Sequence, residues 1–164
     1  MPAPKRRARG PTVEVLVRSP LWKKAPRAEQ TVRKAIAAAA AMLSTAGGEV
    51  SIVLTGDSDM KKLNKKWRGI DKPTNVLSFP APKAASGDGM LGDIVIAYET
   101  VRHECDDEDK DFLHHLAHLA VHGFLHLSGY DHGTNREAEA MEALESKIMA
   151  RLKMPDPYLA RDLG

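Results

Sequence analysis

Residues 111–132 read DFLHHLAHLAVHGFLHLSGYDH, and the fold is decided here. Over residues 109–127, Leu113, Leu116, Ala117, Ala120, Val121, Phe124 and Leu127 fall on most of a helix circumference. Such a helix has little surface to offer water, so it is predicted to run buried through the centre of the domain. Histidines interrupt that apolar surface. His122 and His126 lie one turn apart on one face, and Gly129 is the natural stop because it accepts positive φ without a Cβ clash. The reversed chain can then bring His132 to the same point. Three imidazoles around one ion leave a fourth position open, as in catalytic rather than closed structural zinc sites. Any one of these histidines alone would read as an ordinary helix residue satisfied by its neighbours; the joint spacing is what argues for a metal. One Zn²⁺ per chain is therefore expected, although imidazole also accepts nickel, copper or iron.

Around this helix the pattern alternates. Thr12–Val17 is rich in β-branched residues and reads as a strand. Residues 27–43 place Val32, Ile36, Ala39 and Leu43 at helical intervals before Gly47 and Gly48. Glu49–Thr55 is a second strand, and Asp57 or Ser58 can cap a short helix to about Trp67. Residues 75–79 and 92–97 read as further strands, with a Gly/Pro/Ser-rich loop over 80–90 between them. Thr134 and Glu137 form a capping box for a last helix to Leu152, with Met141, Leu144, Ile148 and Leu152 as its core stripe. The predicted fold is α/β, of the α+β type: a mostly parallel sheet of about four strands flanked by helices, with a zincin-like metal helix at the centre.

The chain of 164 residues suits one core and needs no disulfide, and its single cysteine, Cys105, cannot make an internal one. Lys5, Arg6, Arg7 and Arg9 lie among prolines and alanines, so residues 1–11 read as a disordered basic arm. Residues 12–155 form a single metallohydrolase domain and 156–164 a C-terminal tail, since Pro155 and Pro157 end regular structure. With no signal-like or membrane-spanning apolar run, the protein is expected in the cytoplasm, away from the membrane.

The spacing H-x-x-x-H-x-x-G-x-x-H is shared with the metzincin peptidases, whose helix carries a glutamate directly after the first histidine as general base. Gly123 stands at that position here, which weakens a peptidase reading. Three neutral ligands leave the full charge on the ion, which lowers the pKa of bound water to roughly 7 and favours anionic oxygens such as those of a phosphodiester.

The segment from His122 to His132 resembles the H-G-x-L-H-L-x-G-Y-D-H signature of the YbeY family of bacterial rRNA-maturation endoribonucleases. Leu63-Asn64 with Arg68, then residues 73–80 (PTNVLSFP), and then Leu91-Gly92-Asp93-Ile94 resemble its other blocks, over about residues 12–155. The resemblance implies a zinc-dependent single-strand endoribonuclease acting in 16S rRNA maturation and ribosome quality control, with the ribosomal small subunit as partner. It implies His122, His126 and His132 as zinc ligands and Arg68 in the active cleft, where a guanidinium can clamp two phosphate oxygens. Two alternatives stand beside it: a metal-dependent peptidase, and a ribosome-associated binding module whose zinc is structural.

Other residues carry weaker signals. Lys61, Lys62, Lys65, Lys66, Arg68 and Lys72 crowd around Trp67. They are either a solvated helix face or an RNA contact, and Trp67 either packs in the core or stacks a base. His118 is one turn before His122, placed either to orient substrate and relay protons or to pack and make a supporting bond. Asp131 is read as bonding turn backbone. Cys105 lies among acids that raise its pKa, against a nucleophile, and the acidic run 104–111 is read as favouring the start of the histidine helix.

Overall fold

The structure is a computed structural model and describes residues 10–82 and 89–159. Most of the basic arm, the end of the tail and the middle of the 80–90 loop lie outside the described residues. The order is β1 (Thr12–Val17), α1 (Ala28–Met42), β2 (Glu49–Thr55), α2 (Asp57–Arg68), β3 (Val76–Pro80), β4 (Met90–Ala97), α3 (Tyr98–Glu108), α4 (Phe112–Leu127) and α5 (Asn135–Arg151), with a short 3-10 helix at Pro20–Lys24. The sheet runs β1-β2-β4-β3. β1 pairs parallel with β2 and β2 with β4, while β3 pairs antiparallel with β4, so the sheet is mixed with one antiparallel edge.

Strand alternation assigns the two faces. Val50, Ile52, Leu54, Ile94 and Ile96 point into the main core, built with α1, α4 and α5. Leu77, Val95 and Ala97 point the other way and pack with Met60 of α2. Trp22 is buried in the main core through its contacts with Tyr98 and Phe112, and its indole N–H donates to the Thr55 carbonyl at 2.8 Å.

The buried helix expected over 109–127 is present as α4, starting at Phe112, and a further helix, α3, fills the acidic stretch before it. Asp109 takes a left-handed conformation (φ 52°) and ends α3, and Asp111 caps α4 by accepting the His114 N–H at 3.0 Å. Most of the acidic run therefore lies in the last turns of α3, where the helix dipole does not favour it; only Asp111 serves the histidine helix. The start of α2 also differs. Neither Asp57 nor Ser58 is its cap; Gly56 is, and Glu99 of α3 accepts the Asp57 N–H at 3.0 Å. Asp57 returns the favour by accepting from Thr100 N–H and Oγ–H. At α5 the expected cap is present, Thr134 accepting the Glu137 N–H at 3.1 Å. Among the described residues no helix is long and apolar enough to cross a membrane.

Candidate metal centre

Helix α4 is the buried element of the domain, with Leu116, Ala117, Ala120, Val121, Phe124 and Leu125 shielded from water. It stops in a Schellman turn: the Gly129 N–H donates to His126 C=O at 3.1 Å and the Tyr130 N–H to Leu125 C=O at 3.0 Å. Gly129 sits at φ 100°, a conformation that favours glycine. The turn carries His132 back toward α4, so that one ring nitrogen each of His122, His126 and His132 lies within 4.8 Å of the others. The two helix rings approach most closely, Nε2 to Nε2, at 3.1 Å. Zinc–imidazole bonds of about 2.0–2.1 Å in a tetrahedron put ligand nitrogens roughly 3.3 Å apart, so the triad fits such an ion with little adjustment.

The protonation of the rings supports that fit. Glu145 of α5 is completely buried, and its Oε2 lies 2.9 Å from His122 Nδ1 and its Oε1 2.6 Å from His118 Nε2. A carboxylate accepts, so His122 carries its proton on Nδ1 and turns the Nε2 lone pair toward His126. His118 Nδ1 is buried without a hydrogen-bond partner, which likewise places the proton on Nε2, facing Glu145. Tyr158 completes the group by donating its O–H to Glu145, with its hydroxyl 3.4 Å from His118 Nε2. Burial alone would raise the Glu145 pKa, but the hydrogen bonds from His118, His122 and Tyr158 outweigh it and hold the carboxyl down at about 2. His126 is held below the ordinary imidazole range, first by burial and then by repulsion from the His122 and His132 rings. The shift at His126 favours a neutral ring free to ligate, and the ionised Glu145 orients His122 by accepting its Nδ1 proton.

The triad opens into a groove of about 560 Å³, within the usual range of ligand sites of about 300–1,000 Å³. Arg68 at the end of α2, Asn75, Ser78 of β3, Tyr130 and Asp131 line it with the histidines. Asp131 accepts the His132 N–H at 2.8 Å, the backbone role expected of it. Gly123 is required by packing. A Cβ there would stand 2.9 Å from Ile94 Cγ2 and 3.1 Å from Ser78 Oγ, so position 123 faces the sheet and has no room for a side chain. The position where the metzincin pattern carries its glutamate base is therefore closed here for a steric reason.

Thus His122, His126, His132 and Arg68 line one groove. Glu145 and Tyr158 escaped the reading of the sequence. Glu145 shares a helix face with Met141 and Met149, one turn away on either side, and both are buried. An acid at that spacing within an apolar stripe was the available signal. Tyr158 belongs to residues read as tail, yet Asp156 accepts from Ser146 Oγ–H at 2.9 Å and folds this segment back on α5. His115 pairs with Glu104 of α3 at 2.9 Å, and Asn75 donates to the same carboxylate at 3.0 Å. Trp67 is 61% exposed and so is not a core residue. Cys105 is buried, and burial more than its acidic neighbours pushes its thiol up to about 11, which makes it a poor nucleophile.

A family profile described as "Endoribonuclease YbeY" matches residues 20–153. The chain is 57% identical over 159 residues to an "Endoribonuclease YbeY" of Rhodopseudomonas palustris, covering 93% of this chain and 92% of that one. It is 54% identical over 160 residues to one of a Bradyrhizobium species, covering 93% and 95%. A solution structure from Thermotoga maritima aligns with 89% of this chain and 98% of its own at 23% identity, with a TM-score of 0.49.

Proposed function

The chain belongs to the YbeY endoribonuclease family, and from that premise we propose that it is a zinc-dependent endoribonuclease cutting single-stranded RNA, acting in 16S rRNA maturation and ribosome quality control with the ribosomal small subunit as partner. The observation that carries this reading is the convergence of three imidazoles, one of them fixed from behind by Glu145, on a groove that also receives Arg68. His122, His126 and His132 would hold the ion in a zincin-like setting. When bound, zinc supplies a dipositive Lewis acid suited to phosphate oxygen and to water.

The chain's own residues do the rest. Glu145 keeps the His122 lone pair aimed by accepting its Nδ1 proton, and it does so across the working pH range because its carboxyl stays ionised. Arg68 offers a planar pair of N–H donors to the phosphate and balances negative charge gathering on it in the transition state. Gly123 leaves no side chain to take a proton from water, a reason to favour a phosphodiester over a peptide as substrate. The lack of a membrane-crossing helix among the described residues accords with work on cytoplasmic ribosomes.

The test is metal analysis of the wild type beside His126→Ala, together with cleavage of a structured rRNA fragment and of casein, each with and without chelator. The variant is expected to lose bound zinc and RNA cleavage together, casein remaining intact throughout. Casein cleavage would make the protein a peptidase, and unfolding on chelation without any cleavage would make its zinc structural.

A further inference from the structure

Helix α2 turns the stripe Met60, Leu63, Asn64 and Trp67 toward the second face of the sheet. The first members obey the pattern: Met60 and Asn64 are buried, and the Asn64 amide donates to the Lys72 carbonyl at 2.8 Å, tying down the loop that follows. Trp67 does not obey it. Its ring meets Phe79 of the edge strand β3, ring centroids 6.0 Å apart in an edge-on contact, and the residue is left 61% exposed. So large an apolar side chain left mostly in water contributes little to the core.

Its surroundings indicate what would cover it. Lys61, Lys62, Lys65 and Lys66 are all exposed along the same helix, and the Lys66 ammonium lies 5.1 Å from the Trp67 ring centroid. Next in the chain is Arg68, which lines the metal groove, and Phe79 is flanked in β3 by Ser78 and Pro80, which line it too. Trp67 therefore stands on the outer side of the strand that walls the groove. A ligand leaving the groove past Arg68 and over the edge of β3 meets an exposed aromatic ring with the Lys66 ammonium beside it, on a helix that carries three further lysines. That combination suits a polyanion with unpaired flat bases: lysines displace counterions from phosphates, and an aromatic ring stacks any base that is not already stacked in a duplex.

We propose that Trp67 is a stacking platform for an unpaired nucleobase a short distance from the cut, and that the lysines of α2 hold the strand leading to it. The inference rests on the ribonuclease reading for its occupant, but it is measured by binding rather than by cleavage. Only two tryptophans are present, and Trp22 is buried with its N–H bonded to Thr55, so a fluorescence change on adding nucleic acid reports on Trp67.

The experiment titrates zinc-loaded full-length protein with a mixed-sequence 2′-O-methyl oligonucleotide, which resists cleavage, and with the same sequence as a duplex. Single strand should quench the fluorescence and bind more tightly than duplex. Trp67→Ala, verified as folded by circular dichroism, should weaken single-strand binding on the order of tenfold, and Trp67→Phe should recover most of it. Unchanged affinity in Trp67→Ala, or equal quenching by duplex, overturns the proposal. If the wild type cleaves RNA while Trp67→Ala binds normally, only the platform fails; if the oligonucleotide binds through Trp67 but no RNA is cut, only the nuclease reading fails.

Discussion

Two acids from neighbouring helices grip the histidines of α4, and their fates differ. Glu145 of α5 is fully out of water and is held by His118, His122 and Tyr158. Glu104 of α3 is a third exposed and is held by His115 and Asn75. Both carboxyls are pulled below the ordinary range by these hydrogen bonds against an opposing push from burial. For Glu104, water can replace any bond that is lost. For Glu145 it cannot, so whatever Glu145 bonds is locked in place, and one of those groups is a candidate metal ligand. Burial, rather than the kind of pair, turns a carboxylate–histidine contact into a positioning device.

The largest effect that can break this comparison is expected from Glu145→Ala. It leaves the partly exposed His118 and His122 N–H groups without their buried acceptor, and a loss of about 3 kcal/mol in denaturant unfolding is expected, as for hydrogen-bond partners left unsatisfied. Zinc affinity, read by competition with a colorimetric chelator, should fall about 10- to 100-fold because His122 is no longer oriented. A variant as stable and as tight as the wild type would remove the distinction between the two acids.

Acid titration sharpens it next. The Glu145 pKa is depressed in the folded state, from its ordinary 4.5 to about 2. Its contribution is therefore fully present above pH 4.5 and is lost as pH falls toward 2, which amounts to on the order of 3 kcal/mol. The stability gap between metal-free wild type and Glu145→Ala should narrow steadily across that window, measured by urea unfolding at successive pH values. A constant gap would mean that the carboxylate charge is not what stabilises the cluster.

The smallest effect belongs to Glu104→Ala. Its contribution is screened by solvent, so a loss of about 1 kcal/mol or less is expected, with zinc affinity unchanged, since its bonds go to His115 and Asn75 rather than to the triad. A drop in zinc affinity comparable to that of Glu145→Ala would show that the two clusters act as one.

The features legible in the sequence are the local ones. The apolar sweep of α4, the one-turn spacing of His122 and His126, the glycine that reverses the chain, and the Thr134 cap each depend on residues within a turn or two of one another. Helix α3 itself was not legible, and it ends on Asp109, a residue with a β-carbon in a left-handed conformation, where glycine would have announced a stop. The spacing of Tyr98, Val101 and Cys105, the buried residues of α3, was present but diluted by acids. The antiparallel course of β3 was not legible either, because strand direction follows from the connection and leaves no periodicity behind.

The deepest division lies within the site itself. Helical geometry repeats every few residues, so the sequence alone determined that His122 and His126 face one point and that a glycine bend can return His132 to it. That the acid behind His122 is Glu145, that Tyr158 closes over it, that Arg68 reaches the same groove and that Trp67 remains in water depend on how distant elements pack. Those contacts follow from which surfaces are left to bury once the sheet has formed, and no local pattern encodes that remainder.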